Sequence, residues 1–597
     1  MADFIKDTLE KVPGVDPRVG QRMTTFSGLN NGPAETAARI AGLVQPKDQV
    51  DDCPYYTGNF GQVLPAPGHP LNVGGIPSQA DTILLEKQQA FDRSKICERI
   101  VHPCGSSAFG HFQVTKDISH LTRADFLQPG KKTPTYTRFS TVTYGREFPD
   151  QGRNPRGFAT KFYTADGNYD LVGLNWPVFF VRDPMQGPDN IRSQQRNPKS
   201  FLLDFNAWFD FLSQVPESNH AGLMLMSDYA TPKGWIHMSG YGCHTFAMVN
   251  ANGERHYVKF HWECHQKKEQ FNHDETLRIQ GIDPDYSKRE LFELIENGGE
   301  AKWTMSIQVM KPEEVPNLDF DPFDVTKVWP RAQFPLQEVG VLTLNRNPED
   351  YHRDVEQAAF SPGSLVPGIE LSPDTLLQWR AFFYRDAQYY RLGSANIHQI
   401  PVNCPFMSKY HSPDNFNGNM RIDANHGGKP QYHPNSYSTT MNSSMTKRRA
   451  PGFDPAVAEA PFQVANNVMS RHSYWKHEGD PCEYNQVREL YQRVMTDAQR
   501  SNLHRNTAEL LRFADGIVQK NYLTQLYAID PNYAKSIYEL LPKHDGYTLD
   551  EVADASKTAH LVNKDPAFYS PDKNSMFMGM PFKKTAPTGK QASGTTA

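Results

Sequence analysis

An α+β fold built on many antiparallel strands, closed as a barrel or stacked as a sandwich of about eight, is what this sequence predicts. Three observations predict it. Residues 96–346 alternate with a period of two: Tyr136, Arg138, Ser140 and Val142 fall on one face, and Thr137, Phe139 and Thr141 on the other, in a run rich in aromatic and β-branched side chains. Glycine-bearing turn strings join such runs in pairs. Helical periodicity dominates only beyond residue 465.

In chain order, residues 1–95 contain Gly58-Asn59-Phe60-Gly61 and Pro65-Ala66-Pro67-Gly68-His69-Pro70, which break helices before they can build a core, so an extended N-terminal arm is expected. Within 96–346, Ala165-Asp166-Gly167-Asn168 turns residues 160–164 back on 169–174, and Asn250-Ala251-Asn252-Gly253 turns 244–249 back on 255–262. In both strings glycine supplies the positive φ of a tight turn. Residues 303–310 read as a further strand, and few helices are expected between the strands. From 347 to 464 the chain is irregular and proline-rich apart from a helix near 373–390; so long a span wraps another surface or serves function. Residues 465–564 form a helical segment, with Val487, Leu490, Tyr491 and Val494 at the i, i+3, i+4, i+7 positions and Leu510, Leu511, Ile517, Leu523 and Leu526 following. The polar stretch 565–597 is weakly patterned and is expected to be disordered.

Composition excludes several classes. The 597 residues carry 62 basic and 67 acidic side chains, a net charge of −5, with no long basic run, which argues against a nucleic-acid partner. The seven cysteines (Cys53, Cys97, Cys104, Cys243, Cys264, Cys404 and Cys482) form no CxxC pair, as expected of free thiols in a reducing compartment. No stretch approaches the ~20 apolar residues of a membrane span, and residues 1–12 alternate charged and apolar side chains unlike a signal peptide. An intracellular protein of cytoplasm or peroxisome, without membrane association, is expected, although residues 593–597 do not form the Ser-Lys-Leu peroxisomal tripeptide.

Three separated groups of strings narrow the chemistry. The first is Phe91-Asp92-Arg93, Glu98-Arg99-Ile100-Val101-His102 and Ala108-Phe109-Gly110. The second is Arg138-Phe139-Ser140-Thr141-Val142 and Asn154-Pro155-Arg156-Gly157-Phe158-Ala159-Thr160-Lys161-Phe162-Tyr163. The third is Leu344-Asn345-Arg346-Asn347-Pro348, Arg380-Ala381-Phe382-Phe383-Tyr384, Arg391-Leu392-Gly393 and Ile400-Pro401-Val402-Asn403-Cys404-Pro405. In this order they resemble the haem catalase family over roughly residues 85–530. The resemblance implies a catalase-type antiparallel β-barrel over 96–346, with an arm, a wrapping loop that carries the haem-ligand helix, and a C-terminal helical segment. It implies haem b with Tyr384 as the iron ligand. Arg380, four residues before Tyr384 on one helix face, favours the ionised phenol that ferric iron prefers. His102 is implied as the proton-transferring residue over the open face of the iron, and Ser140 as its hydrogen-bond partner. Arg99, Arg138 and Arg391 are implied to hold the haem propionates, and Val142, Phe179, Phe360 and Leu376 to line an apolar haem pocket.

Three departures from the family pattern bear on function. The family's second distal residue is an asparagine after the glycine of a Gly-Asn-Asn-x-Pro string; here the string reads Gly173-Leu174-Asn175-Trp176-Pro177. Leu174 takes the position unless a register shift brings Asn175 there. A leucine offers peroxide no hydrogen bond, a loss of ~10²–10³ in turnover. The family's channel aromatic aligns with Gly187, which leaves room beside the haem for an organic substrate contacted by Leu174 and Trp176, and its channel carboxylate aligns with Asn154, which removes a charge that orients peroxide on entry. The arginine, lysine and histidine of NADPH-binding members align with Tyr229, Glu263 and Arg331, although His220 and Trp329 persist, so NADPH is not expected. The reading that follows is a haem oxidoreductase acting on a small organic amine with superoxide or peroxide, by oxidative cyclisation, as in the family's fungal chanoclavine-I synthase branch of ergot alkaloid biosynthesis. A hydrogen peroxide-dismuting catalase and a non-catalytic haem-binding protein are the alternatives. The resemblance also implies a homotetramer, with arm and loop threaded between subunits.

Overall fold

Strand pairing carries out the period-two alternation over most of the first half of the chain. The structure is a computed structural model that describes residues 56–408 and 481–562, apart from 65, 67, 79–81, 396, 398 and 399. The start of the expected arm, the wrapping loop beyond 408 and the expected disordered tail lie outside the described residues. Ten strands form one sheet: β1 (Gly105–Val114), β2 (Lys132–Ser140), β3 (Gly157–Thr164), β4 (Gly167–Leu174), β5 (Gly240–Tyr241), β6 (Phe246–Val249), β7 (Arg255–Cys264), β8 (Ala301–Met310), β9 (Gln337–Arg346) and β10 (Ile369–Leu371). The order is β8-β9-β1-β2-β3-β4-β5-β7-β6-β10, and β8 also pairs with β7, which closes an eight-stranded antiparallel barrel with β6 and β10 as an extension. Closure leaves these eight strands without a free edge.

Both expected hairpins form. The first is tighter than the sequence suggests, because Thr164 pairs directly with Gly167 (φ 115°) and only Ala165 and Asp166 lie outside the ladder. Helices are more numerous than expected. After α1 (Ile83–Asp92), α2 (Gln186–Ser193), α3 (Phe205–Gln214) and α4 (Asn219–Met226) lie between β4 and β5, and α5 (His273–Ile282) and α6 (Tyr286–Glu296) between β7 and β8. The first three of these five inserted helices are only 8–10 residues long, too short for periodicity to stand out from the surrounding turns. The long helix α7 (Thr375–Leu392) follows, and the C-terminal part holds α8 (Asn485–Glu489), α9 (Asp497–Leu511), α10 (Gly516–Ile529), α11 (Pro531–Leu540) and α12 (Leu549–Ser556).

Alternation gives each barrel strand two destinations. Phe139, Phe158, Phe162, Leu171, Trp262 and Trp303 fill the interior, where Phe158 stacks on Trp262 at 5.8 Å. A second core joins α3 and α4 to the C-terminal helices through Trp208, Leu223, Leu503, Tyr522 and Leu523. The outward set of β2, β3 and β4 is Tyr136, Arg138 and Ser140, then Ala159, Lys161 and Tyr163, then Asp170, Val172 and Leu174. This outer face carries the functional site.

Chain segments after β9 and α7 are pinned over that face. Lys161 and Asp170, both buried, pair at 2.7 Å, and Asp170 also accepts the backbone N–H of Ser361 at 2.9 Å. Tyr163 donates to the Val402 carbonyl at 2.7 Å, and Asn168 to that of Asn403 at 3.0 Å. Asp170 therefore fixes the neighbourhood of Phe360. Replacing one partner leaves a buried charge uncompensated, at ~3–5 kcal/mol. Asp170→Asn is expected to lower stability in guanidinium denaturation by an amount of that order; a change below about 1 kcal/mol would show that the pair contributes little.

Candidate active site

The approach to β1 and the ends of β2 and β3 form one side of the site. His102 adopts a left-handed backbone (φ 65°), and its N–H donates to the Val142 carbonyl at 2.8 Å. Its Nδ1 lies 2.8 Å from Ser140 Oγ. A Cβ at Gly157 would fall 2.4 Å from Ser140 Oγ and 2.6 Å from His102 Nδ1, so only glycine lets the imidazole and hydroxyl meet there. Burial, followed by the positive charges of Arg138, Arg380 and Arg99, pushes the His102 pKa down to about 3. The imidazole is neutral at physiological pH and can accept a proton.

Helix α7 forms the opposite side. Its N-cap, Asp374, accepts the Leu377 N–H at 3.0 Å. One turn further on Arg380 projects toward the barrel, and four residues later its guanidinium donates to Tyr384 Oη at 2.8 Å. The hydrogen bond is charge-assisted, because its donor is a guanidinium. His244 joins the same arrangement: its Nδ1 is 2.7 Å from Asp374 Oδ2, both residues are buried, and burial lowers the His244 pKa against the opposing pull of Asp374. Sequence reasoning missed this pair, because nothing in local spacing connects residue 244 with residue 374. The signals present were a helix N-cap at Asp374 and an interruption between β5 and β6, where Cys243 has φ 59°.

Two adjoining cavities open onto both sides. The smaller, about 60 Å³, is lined by Arg99, Arg138, Arg391, Val172, Phe360 and Tyr384. The larger, about 290 Å³, is lined by His102, Val142, Leu174, Phe179, Gly187, Trp379 and Tyr384, among others. Most of the residues singled out in the sequence therefore converge here. Leu376 and Trp176 do not line these cavities. Leu376 is fully buried in the core beneath α7. Trp176 is packed in the same core, because β4 ends at Leu174 and the chain turns before the alternation can carry the indole to the cavity.

Leu174, rather than Asn175, faces the cavity. It pairs with Gly157 at the end of β4, while Asn175 accepts the Arg156 N–H at 2.8 Å and donates to the Tyr229 carbonyl at 2.8 Å. Asn154 is also occupied: its Oδ1 accepts the Val142 and Thr143 N–H groups at 2.6 and 3.1 Å, and its Nδ2 donates to Thr143 Oγ1 at 2.6 Å. The expected open space at Gly187 is corrected by the structure, since a Cβ there would lie 2.6 Å from the Trp379 indole. Trp379, stacked on Phe383 at 4.7 Å, takes the volume that a side chain at 187 would fill.

The two cavities share His102, Val172 and Tyr384 and form one slot, and the charge imbalance at its smaller end describes the edge of the group it fits. Arg99, Arg138 and Arg391 gather around it, and Glu356 is 3.7 Å from Arg99 and shared with Arg146 at 3.5 Å. Arg99 Nη1 and Arg138 Nε are buried without a hydrogen-bond partner. Burial and mutual repulsion push the Arg99 pKa well below its usual range and that of Arg391 down to about 10. Such a cradle holds more cations than anions. Apolar walls beside it, a phenol backed by a guanidinium and an opposing neutral imidazole fit a flat apolar group with a dianionic edge and a ferric centre, which is haem.

Comparison with known proteins finds matches over most of the chain. A family model described as "Catalase" matches residues 57–439, and one described as "Catalase-related immune-responsive" matches residues 478–541. The chain is similar to the catalase of Methanosarcina barkeri (41% identity, covering 82% of this chain and 92% of that one) and to that of Danio rerio (42%, covering 78% and 85%). Among solved structures it resembles a fungal catalase (TM-score 0.77, 35% identity, 84% of this chain and 99% of that one). Catalase A of Saccharomyces cerevisiae is similar at TM-score 0.76 and 36% identity, covering 82% and 99%.

Tyr384→Phe removes the phenol oxygen while leaving the arginine cradle in place. After reconstitution with haem, the variant is expected to lose the charge-transfer bands of phenolate-bound ferric iron and to release haem more readily. An absorbance spectrum identical to that of the unmodified protein would contradict the assignment.

Proposed function

The chain belongs to the catalase family, and from that premise we propose that it is a haem b-dependent oxidoreductase that decomposes hydrogen peroxide. The observation that carries the reading is the convergence, on one slot, of the neutral His102–Ser140 pair, the Arg380–Tyr384 pair and the arginine cradle. Relatives named catalases, 40–42% identical to this chain, support dismutation ahead of the ring-closing oxidation that the sequence puts first.

When bound, haem supplies the redox-active iron at which the peroxide O–O bond is broken. The protein's own groups do the rest. Tyr384 would bind the metal, with Arg380 donating a hydrogen bond to its phenol oxygen. Arg99, Arg138 and Arg391 neutralise the propionates, while Val142, Phe179 and Phe360 exclude water from the ring. The Ser140 hydroxyl holds His102 Nδ1, which leaves Nε2 free to take a proton from one peroxide oxygen and return it to the other as that oxygen departs. Leu174 leaves peroxide unguided on this side, so the reading includes dismutation slower than in relatives with asparagine at that position.

A second reading, oxidation of a small organic amine by oxidative cyclisation as in the chanoclavine-I synthases, is supported by one feature. The larger cavity has apolar walls at Leu174, Phe179 and Trp379 and reaches the surface at the exposed Arg192 and Gln195. A homotetramer is proposed as well. It is supported by the exposed Phe60, Val73, Ile76 and Phe91 in the segment before β1, apolar side chains that a neighbouring subunit would cover. NADPH is left out of the proposal: Glu263 adds a carboxylate beside Tyr229 and Arg331 around Tyr241, where a 2′-phosphate would be repelled.

Leu174→Asn is expected to raise oxygen evolution from added peroxide by ~10²–10³-fold. An unchanged rate would show that the rest of the pocket, not this position, limits dismutation. A pH profile gives an independent check. His102 is neutral in the folded chain down to about pH 3, whereas an unfolded histidine takes up its proton near 6.5. Turnover should therefore be flat between pH 8 and 5, and the contribution of His102 to stability, complete above 6.5, should decline as pH falls below it. A rate that fell with a midpoint near 6.5 would contradict a buried, neutral His102.

A further inference from the structure

Helix α2 forms one wall of the larger cavity, and its inward face carries amides where a core-facing helix normally presents apolar side chains. Gln186 and Asn190 lie at i and i+4 of the helix and Gln194, its C-cap, follows four residues on; they are exposed by only 7%, 1% and 6%. Asn190 and Gln194 line the cavity. Gln194 Nε2 donates to Asn190 Oδ1 at 3.2 Å, which holds the two amides side by side. Asn190 Nδ2 and Gln194 Oε1 are left buried with no partner. Gln194 Nε2 also donates to the Asn190 backbone carbonyl at 3.4 Å, which sets the orientation of the amides and leaves one free donor beside one free acceptor. An unsatisfied buried polar atom costs about 1–3 kcal/mol, so two together call for an occupant that completes them.

We infer that Asn190 and Gln194 form the polar end of a subsite for an aromatic organic molecule bearing a hydrogen-bond donor next to an acceptor, the pattern of a primary carboxamide. Leu174, Phe179, Ile191 and Trp379 supply the apolar walls on which its ring lies. The indole of Trp379 reaches this wall because residue 187 is glycine, so the flat surface and the amide pair belong to the same face of α2 and α7. The mouth of the cavity lies at the exposed Arg192 and Gln195, which lets a molecule arrive from solvent with its ring leading. This assignment rests on the reading that an organic molecule is oxidised in this cavity, and it adds how such a molecule is recognised.

Binding separates the two claims. The haem-reconstituted chain is titrated with benzamide and, separately, with toluene, and each dissociation constant is measured by calorimetry and by perturbation of the Soret band. Benzamide is expected to bind at least tenfold more tightly than toluene. Asn190→Leu and Gln194→Leu, which keep volume and remove the paired groups, are each expected to weaken benzamide about tenfold while leaving toluene binding and the unliganded Soret spectrum unchanged. A variant whose Soret spectrum or toluene affinity fails is replaced by Asn190→Ala, for which the same loss is expected. Equal affinities for the two ligands, or benzamide binding that both leucine variants retain, would overturn the subsite and mean that the amides hold only water. Benzamide bound as expected but never oxidised on addition of peroxide would support the subsite while removing the organic-oxidation reading.

Discussion

Three buried guanidiniums facing one shared carboxylate set the terms for the rest of this molecule. Arg99 comes from the approach to β1, Arg138 from β2 and Arg391 from the last turn of α7, so the repulsion among them acts on the junction of barrel and helix. Carbonyl oxygens of Val355, Glu356 and Ala358 hold Arg99, and those of Glu356 and Ala358 also hold Arg391. These bonds fix direction without cancelling charge. A dianionic plane would both neutralise the cluster and bridge the two sides.

On this shared framework the chain redistributes bulk. In place of a side chain at 187 stands the indole of Trp379, delivered from the opposite helix and stacked on Phe383. In place of a polar group at the end of β4 stands Leu174. Asn190 and Gln194 place amides on the wall of the larger cavity, which His102 also lines.

Much of this was legible in the sequence where it depends on local periodicity. The alternation of Tyr136, Arg138 and Ser140 against Thr137 and Phe139 places the first set on the functional face and the second in the barrel. The spacing of Arg380 and Tyr384 on one helix needed no tertiary information. What the sequence hid depends on approach in space. Gly187 read as a void because Trp379, almost 200 positions on, cannot be seen to fill it. Trp176 read as a pocket residue because the alternation carries past Leu174, although Asn175 and Pro177 mark the end of β4 there. The His244–Asp374 pair joins two elements across 130 positions. Leu376 read as pocket lining because its helix does border the site, but its own direction is toward the core.

The central claim is that the arginine cradle is built for a dianionic ring, and replacing the carboxylates tests it most directly. The chain freed of haem is titrated with ferric haem and with its dimethyl ester, which differ only in the two propionate charges. Haem is expected to bind about 100-fold more tightly and to raise the midpoint of guanidinium denaturation well above that reached with the ester. Equal affinity and equal stabilisation by the two would contradict the account.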